Sequence, residues 1–190
     1  MERLKELGQE YPLEIELKAY LLRPDVPPEG RPRQPRPGEE PGVLSEPLRT
    51  YANEMGLTNM KRSPLVSYSL KALEATEYAK GTGKVEAFHQ GVYRAYWEKQ
   101  QDIGRNEVLA EVAQEAGLEW DPLRQALEAQ TYLRPVVEQF QQGMSLGFTG
   151  IPAFLVEGIP MVGLQTLETL RMVAKRVLAR REGKGDPEAH

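Results

Sequence analysis

The chain has 190 residues, 24 lysines and arginines against 28 acids, and no cysteine. The length allows one domain, or a domain with an insertion, around a real core. The net charge of −4 argues against a general nucleic-acid surface, and the missing thiols exclude disulfides, thiolate catalysis and thiolate metal sites within this chain.

Met1-Glu2-Arg3-Leu4-Lys5-Glu6-Leu7 reads as a charged helix start, not a signal peptide, which makes the cytoplasm the expected compartment. No apolar run approaches the roughly 18 residues of a membrane span, so no membrane partner is expected. Residues 2–9 look like a helix with Leu4 and Leu7 on one side and Gly8 as its stop. Leu13, Ile15, Leu17, Ala19 and Leu21 then alternate with polar positions, a period of two that predicts a strand with one wet face. Residues 22–47 are rich in proline, and regular structure is not expected there. Arg31-Pro32-Arg33-Gln34-Pro35-Arg36-Pro37 can be read as a polyproline-type partner ligand or as a solvated linker, and composition favours the linker.

From 48 to 147 the pattern is almost wholly helical. Helices are expected at 46–56, 64–80, 84–101, around Leu109–Ala116, after Asp121-Pro122, and at 131–146. Short joins between them predict a compact helical bundle. Phe88, Tyr93, Tyr96 and Trp97 could line a pocket for a flat ligand, but their helical spacing favours core. His89 beside them reads as a packed or surface histidine, not a base, and with His190 it is too little for a histidine-rich metal site.

Thr149 through Gly163 is the most informative stretch. Two short apolar runs flank Glu157-Gly158, a two-residue hairpin turn; Pro152 opens the first run, and Pro160 demotes the second to an edge strand. Leu167, Leu170, Ala174, Val177 and Leu178 follow at helical spacing behind Thr166, a plausible N-cap.

Gly150-Ile151-Pro152-Ala153-Phe154-Leu155-Val156, the turn, the second strand and the closing helix resemble the C-terminal ββα half of the thioredoxin fold. The likeness is to the DsbA-like branch that holds FrnE-type disulfide oxidoreductases, 2-hydroxychromene-2-carboxylate isomerases and kappa-class glutathione transferases. Arg23-Pro24-Asp25-Val26-Pro27-Pro28-Glu29-Gly30 and the Val85–Trp97 and Val108–Leu118 runs resemble the same branch, so the likeness spans about residues 12–180. Lys61-Arg62-Ser63-Pro64 departs from it where relatives carry an Asn-Thr-Arg-like segment.

The resemblance implies an α/β fold. A thioredoxin-like core is expected at 1–21 and 148–182, incomplete because its first strand is absent, with a proline-rich loop at 22–47, a large all-α insertion at 48–147 and a flexible tail at 183–190. It implies that Ile151-Pro152 is cis, that the Ile151 backbone pairs with a bound peptide or glutathione, and that Pro152 shields the sulfurs from metals and competing amides. Gly150, Ile151, Pro152, Gln165 and Thr166 are the expected substrate-binding residues. Gln165 and Thr166 would hold a γ-glutamyl group, although capping is their simpler role. No catalytic residue and no metal ligand can be named. The implied function is that of a DsbA-like protein of thiol–disulfide oxidoreductase ancestry acting on protein or glutathione thiols and disulfides, with glutathione as the one possible cofactor. A glutathione-dependent isomerase or transferase, and a non-catalytic binding or scaffold protein, are the alternatives. In the family the Cys-x-x-Cys turn and its strand precede the helix seen here at residue 2. Three arrangements are open: an internal methionine taken as the start, a relic without redox activity, or a strand supplied by another chain; the intact hairpin favours the first.

Overall fold

The computed structural model describes residues 2–35 and 37–183; the tail expected at 183–190 lies, beyond Gly183, outside the described residues. The chain divides into two compact units, one of residues 1–18 with 141–190, the other of residues 19–140.

In the first unit, α1 (Glu2–Glu10) packs on α8 (Leu167–Arg181), and α8 packs on a hairpin of β3 (Ala153–Val156) and β4 (Ile159–Val162). Gly8 does not stop α1. The helix continues to Glu10 and closes with a bond from Tyr11 N–H to the Leu7 carbonyl. Among the described residues of this unit, Leu7 of α1 and Leu170 and Val173 of α8 are the buried apolar side chains. At the rim, Arg171 grips Glu10 with two nitrogens, and this bond holds the Glu10 carboxyl below its ordinary pKa.

The hairpin forms as expected. Ala153 pairs with Val162 and Val156 with Ile159 across the turn, where Glu157 and Gly158 both have positive φ, 47° and 84°. Two consecutive positive φ values are what a type I′ connection demands, because its twist matches that of the flanking strands. The alternation at 13–21 does not become a strand. Residues 12–21 have no ladder partner among the described residues, and Leu13 and Ile15 stay exposed. Period two sets which face a side chain takes, but a strand also needs a neighbour for its N–H and C=O groups.

The second unit is mostly helix. Its elements are β1 (Arg31–Pro32), α2 (Glu46–Glu54), β2 (Leu65–Val66), α3 (Leu70–Lys80), α4 (Val85–Trp97), α5 (Asn106–Glu115) and α6 (Trp120–Glu128). The division then falls within α7 (Leu133–Ser145). Phe88, Gly91, Val92 and Ala95 are the buried positions of α4, an i, i+3, i+4, i+7 stripe, and they meet Val108, Leu109, Val112 and Ala113 of α5. Small residues bring α4 and α5 close: a Cβ added at Gly91 would lie 2.8 Å from Val112 Cγ1. The helix α5 ends where Gly117 takes φ 73°, allowing Leu118 N–H to reach the Ala113 carbonyl at 2.8 Å and Gly117 N–H the Gln114 carbonyl at 3.1 Å. That pair of bonds satisfies carbonyls the helix end leaves open.

The proline-rich loop is more tied down than a solvated linker. Arg31 pairs with Val66 and Pro32 with Leu65, and Arg33 N–H continues the ladder to the Pro64 carbonyl. Val26 and Leu44 are buried. The same pairing corrects the helix expected from residue 64, because Leu65 and Val66 are drawn into the ladder and α3 begins only at Leu70.

Candidate functional site

The Ile151–Pro152 bond is cis, as the Gly-Ile-Pro entry implied. The hairpin ladder extends one residue past Ala153 to reach it, with Gly163 N–H donating to the Pro152 carbonyl at 2.8 Å. Beyond that bond the backbone is open. Ile151 is 47% exposed, and among the described residues its N–H and C=O make no hydrogen bond. Gly150 is uncrowded; a Cβ there would meet nothing within 4 Å.

Ala153, Leu155, Pro160 and Val162 share one face of the hairpin by register and alternation, and Leu155 and Val162 are 46% exposed. An open backbone edge is thus bordered by an open apolar face.

Gln165 and Thr166 are occupied at home. The Gln165 side-chain amide donates to the Val162 and Gly163 carbonyls, at 3.1 Å each, and the Gln165 backbone carbonyl accepts from Arg3 Nη1 at 2.7 Å. Thr166 Oγ1 accepts from Thr169 N–H at 3.1 Å and caps α8. These bonds fix the end of β4 and the start of α8, and of the two residues Thr166 is the helix cap.

The aromatic group separates. Phe88 is fully buried core, whereas Tyr93 is 49% exposed and leans on His89 with ring centroids 4.8 Å apart. Tyr96 and Trp97 pack edge to face at 5.2 Å. Burial lowers the His89 pKa, favouring the neutral imidazole. Among the described residues no group of three or more His, Asp or Glu side chains is placed to hold a metal ion. None of their helices is long and apolar enough to cross a membrane.

Two features of residues 19–140 escape sequence reasoning because their causes are non-local. Glu74 faces inward from α3, 4% exposed, with Oε2 buried and unbonded; burial raises its pKa against the opposing charge of Lys71. Arg62 has a buried Nε without a hydrogen bond.

A helix-rich α/β chain that closes in a cis-proline hairpin and a capped helix defines a thioredoxin-type protein. The chain belongs to the DSBA-like thioredoxin domain family, whose model matches residues 1–174. It is 26% identical over 155 residues to the uncharacterized protein YwbO of Bacillus subtilis, spanning 76% of this chain and 72% of that protein. Its fold is similar to a probable DsbA oxidoreductase from Streptomyces coelicolor, with TM-score 0.69 and 19% identity over 99% of this chain and 85% of the other. It is also similar to a 2-hydroxychromene-2-carboxylate isomerase, with TM-score 0.61 and 17% identity over 95% and 89%. The chain is therefore a DsbA-like thioredoxin-domain protein without a cysteine.

Proposed function

We propose that this chain holds an extended thiol- or disulfide-containing peptide at Ile151-Pro152 and carries out no thiol–disulfide exchange by itself. The observation that carries the reading is Ile151, an exposed residue whose backbone N–H and C=O are both unspent among the described residues at the end of the β3–β4 ladder. An extended peptide laid beside Ile151 can satisfy both groups by strand addition, while Leu155 and Val162 offer apolar contact on the adjoining face. Exchange needs an attacking thiolate, and this sequence supplies none.

Glutathione is the less supported occupant. The Gln165 amide and the Thr166 hydroxyl, the groups a γ-glutamyl moiety would use, are engaged within the fold.

Amide spectra of the labelled chain, titrated with a short disulfide-bridged peptide and separately with glutathione disulfide, test this. Saturating shifts centred on Gly150, Ile151 and Ala153 with the peptide are expected, and weaker ones with glutathione disulfide. No saturation with either, or shifts centred elsewhere, would sink the reading. Insulin reduction should stay at the uncatalysed baseline.

A further inference from the structure

Outside the Pro152 loop, Arg62 is the side chain whose placement is least accounted for. The chain carries 28 acids to 24 bases, and its arginines draw on that excess: Arg31 pairs with Asp25, Arg33 with Glu39, Arg134 with Glu138 and Arg181 with Glu157. Arg62 has no carboxylate at ion-pair distance among the described residues, although it is partly buried and not extended into solvent. A guanidinium has five N–H donors. Here Nε is buried and unbonded, and the one side-chain bond is a long one, Nη2 to Ser45 Oγ at 3.4 Å.

The surroundings hold this group in place without neutralising it. Arg62 N–H donates to the Gly42 carbonyl at 2.9 Å, and the Arg62 carbonyl accepts from the Gln100 amide at 2.9 Å. Gln100 itself sits at φ 55°, an unfavourable conformation for a residue with a Cβ. Immediately before Arg62 in sequence, Lys61 N–H is fixed to the Trp97 carbonyl at 2.6 Å. Ser45 stands at the N-cap position of α2, yet its hydroxyl makes no capping bond and is met by Arg62 instead. Glu46, next to Ser45 in sequence, pairs with Arg49, Glu39 pairs with Arg33, and Asp102 Oδ1 accepts from Gly104 N–H at 3.0 Å. Burial raises the pKa of the Tyr96 hydroxyl, which donates to the Leu65 carbonyl at 3.3 Å; the charges of Arg62 and Arg33 oppose that rise and Asp102 adds to it.

A partly desolvated cation without a counter-charge is unfavourable. A planar donor fork whose backbone is anchored on both sides matches the oxygens of a carboxylate or phosphate. We propose that Arg62, assisted by the Ser45 hydroxyl, binds a small oxyanion: the carboxylate or phosphate group of a ligand. The site stands apart in sequence and chemistry from the Pro152 loop and does not depend on the reading given to that loop.

The test uses the full chain, labelled with nitrogen-15 and titrated with inorganic phosphate and, separately, with acetate, at ionic strength held constant with sodium chloride. A saturating shift of the Arg62 Nε–Hε resonance and of the Ser45 and Arg62 amides is expected. Phosphate alone producing it assigns a phosphate ligand, acetate alone a carboxylate, and both the shared oxyanion chemistry. R62Q should abolish saturation, S45A should weaken it several-fold, and R62K, with a point charge in place of a fork, should weaken it by roughly tenfold. A linear response to both anions overturns the site, as does saturation that survives in R62Q. If R62Q does not fold, unchanged affinity in both S45A and R62K overturns it equally.

Discussion

A buried carboxylate with an unbonded oxygen sets the acid–base behaviour of residue 74. The folded-state pKa of Glu74 is raised, so the folded protein binds this proton more tightly than the unfolded chain does. Its contribution to stability is greatest at acid pH and is lost as pH rises from the ordinary carboxylate value through the raised one. Glu74→Met keeps the helix propensity and the approximate volume while removing the charge. It should stabilise the protein at pH 7 by about 1–3 kcal/mol, the usual cost of an unsatisfied buried group, with a smaller gain near pH 4. Urea midpoints at the two pH values check this, and a loss of stability at pH 7 would show that the carboxylate has a partner after all. Thr166 belongs to the same scale. Removing its cap in Thr166→Ala should cost about 1 kcal/mol and leave peptide binding at Ile151 unchanged, as followed by the amide titration.

Between elements, the tightest approach is that of α4 to α5. On an exposed helix Gly→Ala adds about 1 kcal/mol through propensity. At Gly91 the new methyl would stand 2.8 Å from Val112 Cγ1, so the sign reverses. Gly91→Ala should destabilise by about 1–3 kcal/mol. In a Val112→Ala background that loss should shrink or vanish, because the atom in the way is gone; thermal unfolding of the four proteins in the cycle gives the coupling directly. The elements also show where sequence reasoning reaches and where it stops. The helices α2 to α8 and the β3–β4 turn were legible because their determinants lie within a few residues: apolar spacing, Thr166, Gly117, and Glu157-Gly158. The cis bond at Pro152 was legible from the family likeness. The failures have one cause. Residues 13–21 alternate correctly but have no pairing partner, and Leu65-Val66 look helical until Arg31-Pro32 arrive from more than 30 residues earlier. Arg62 and Ser45, 17 residues apart, likewise meet only after folding.

For the whole molecule, the two units differ in how much they bury. Residues 19–140 hold a continuous cluster around Phe88, Leu109 and Leu123, each with no exposed surface. The buried apolar residues of the other unit, among those described, are Leu7, Leu170 and Val173, and its sheet has two strands. Two-stranded ribbons are marginal unless packed against something else. Hydrogen exchange should therefore find the amides of β3 and β4 at least roughly tenfold less protected than those of α4 and α5. Equal protection would mean that the hairpin opens only with the rest of the molecule.

The anchored proline-rich loop has a practical consequence for anyone redesigning the chain. A spacer can be shortened, replaced by glycine and serine, or chosen as the place to open a circular permutant. Residues 22–44 do not have that freedom, because Val26 and Leu44 are buried and the Arg31–Pro32 rung is paired with Leu65-Val66. A graft that keeps only the length would discard two buried side chains and a ladder, so the stretch must be carried whole into any chimera that includes residues 61–67.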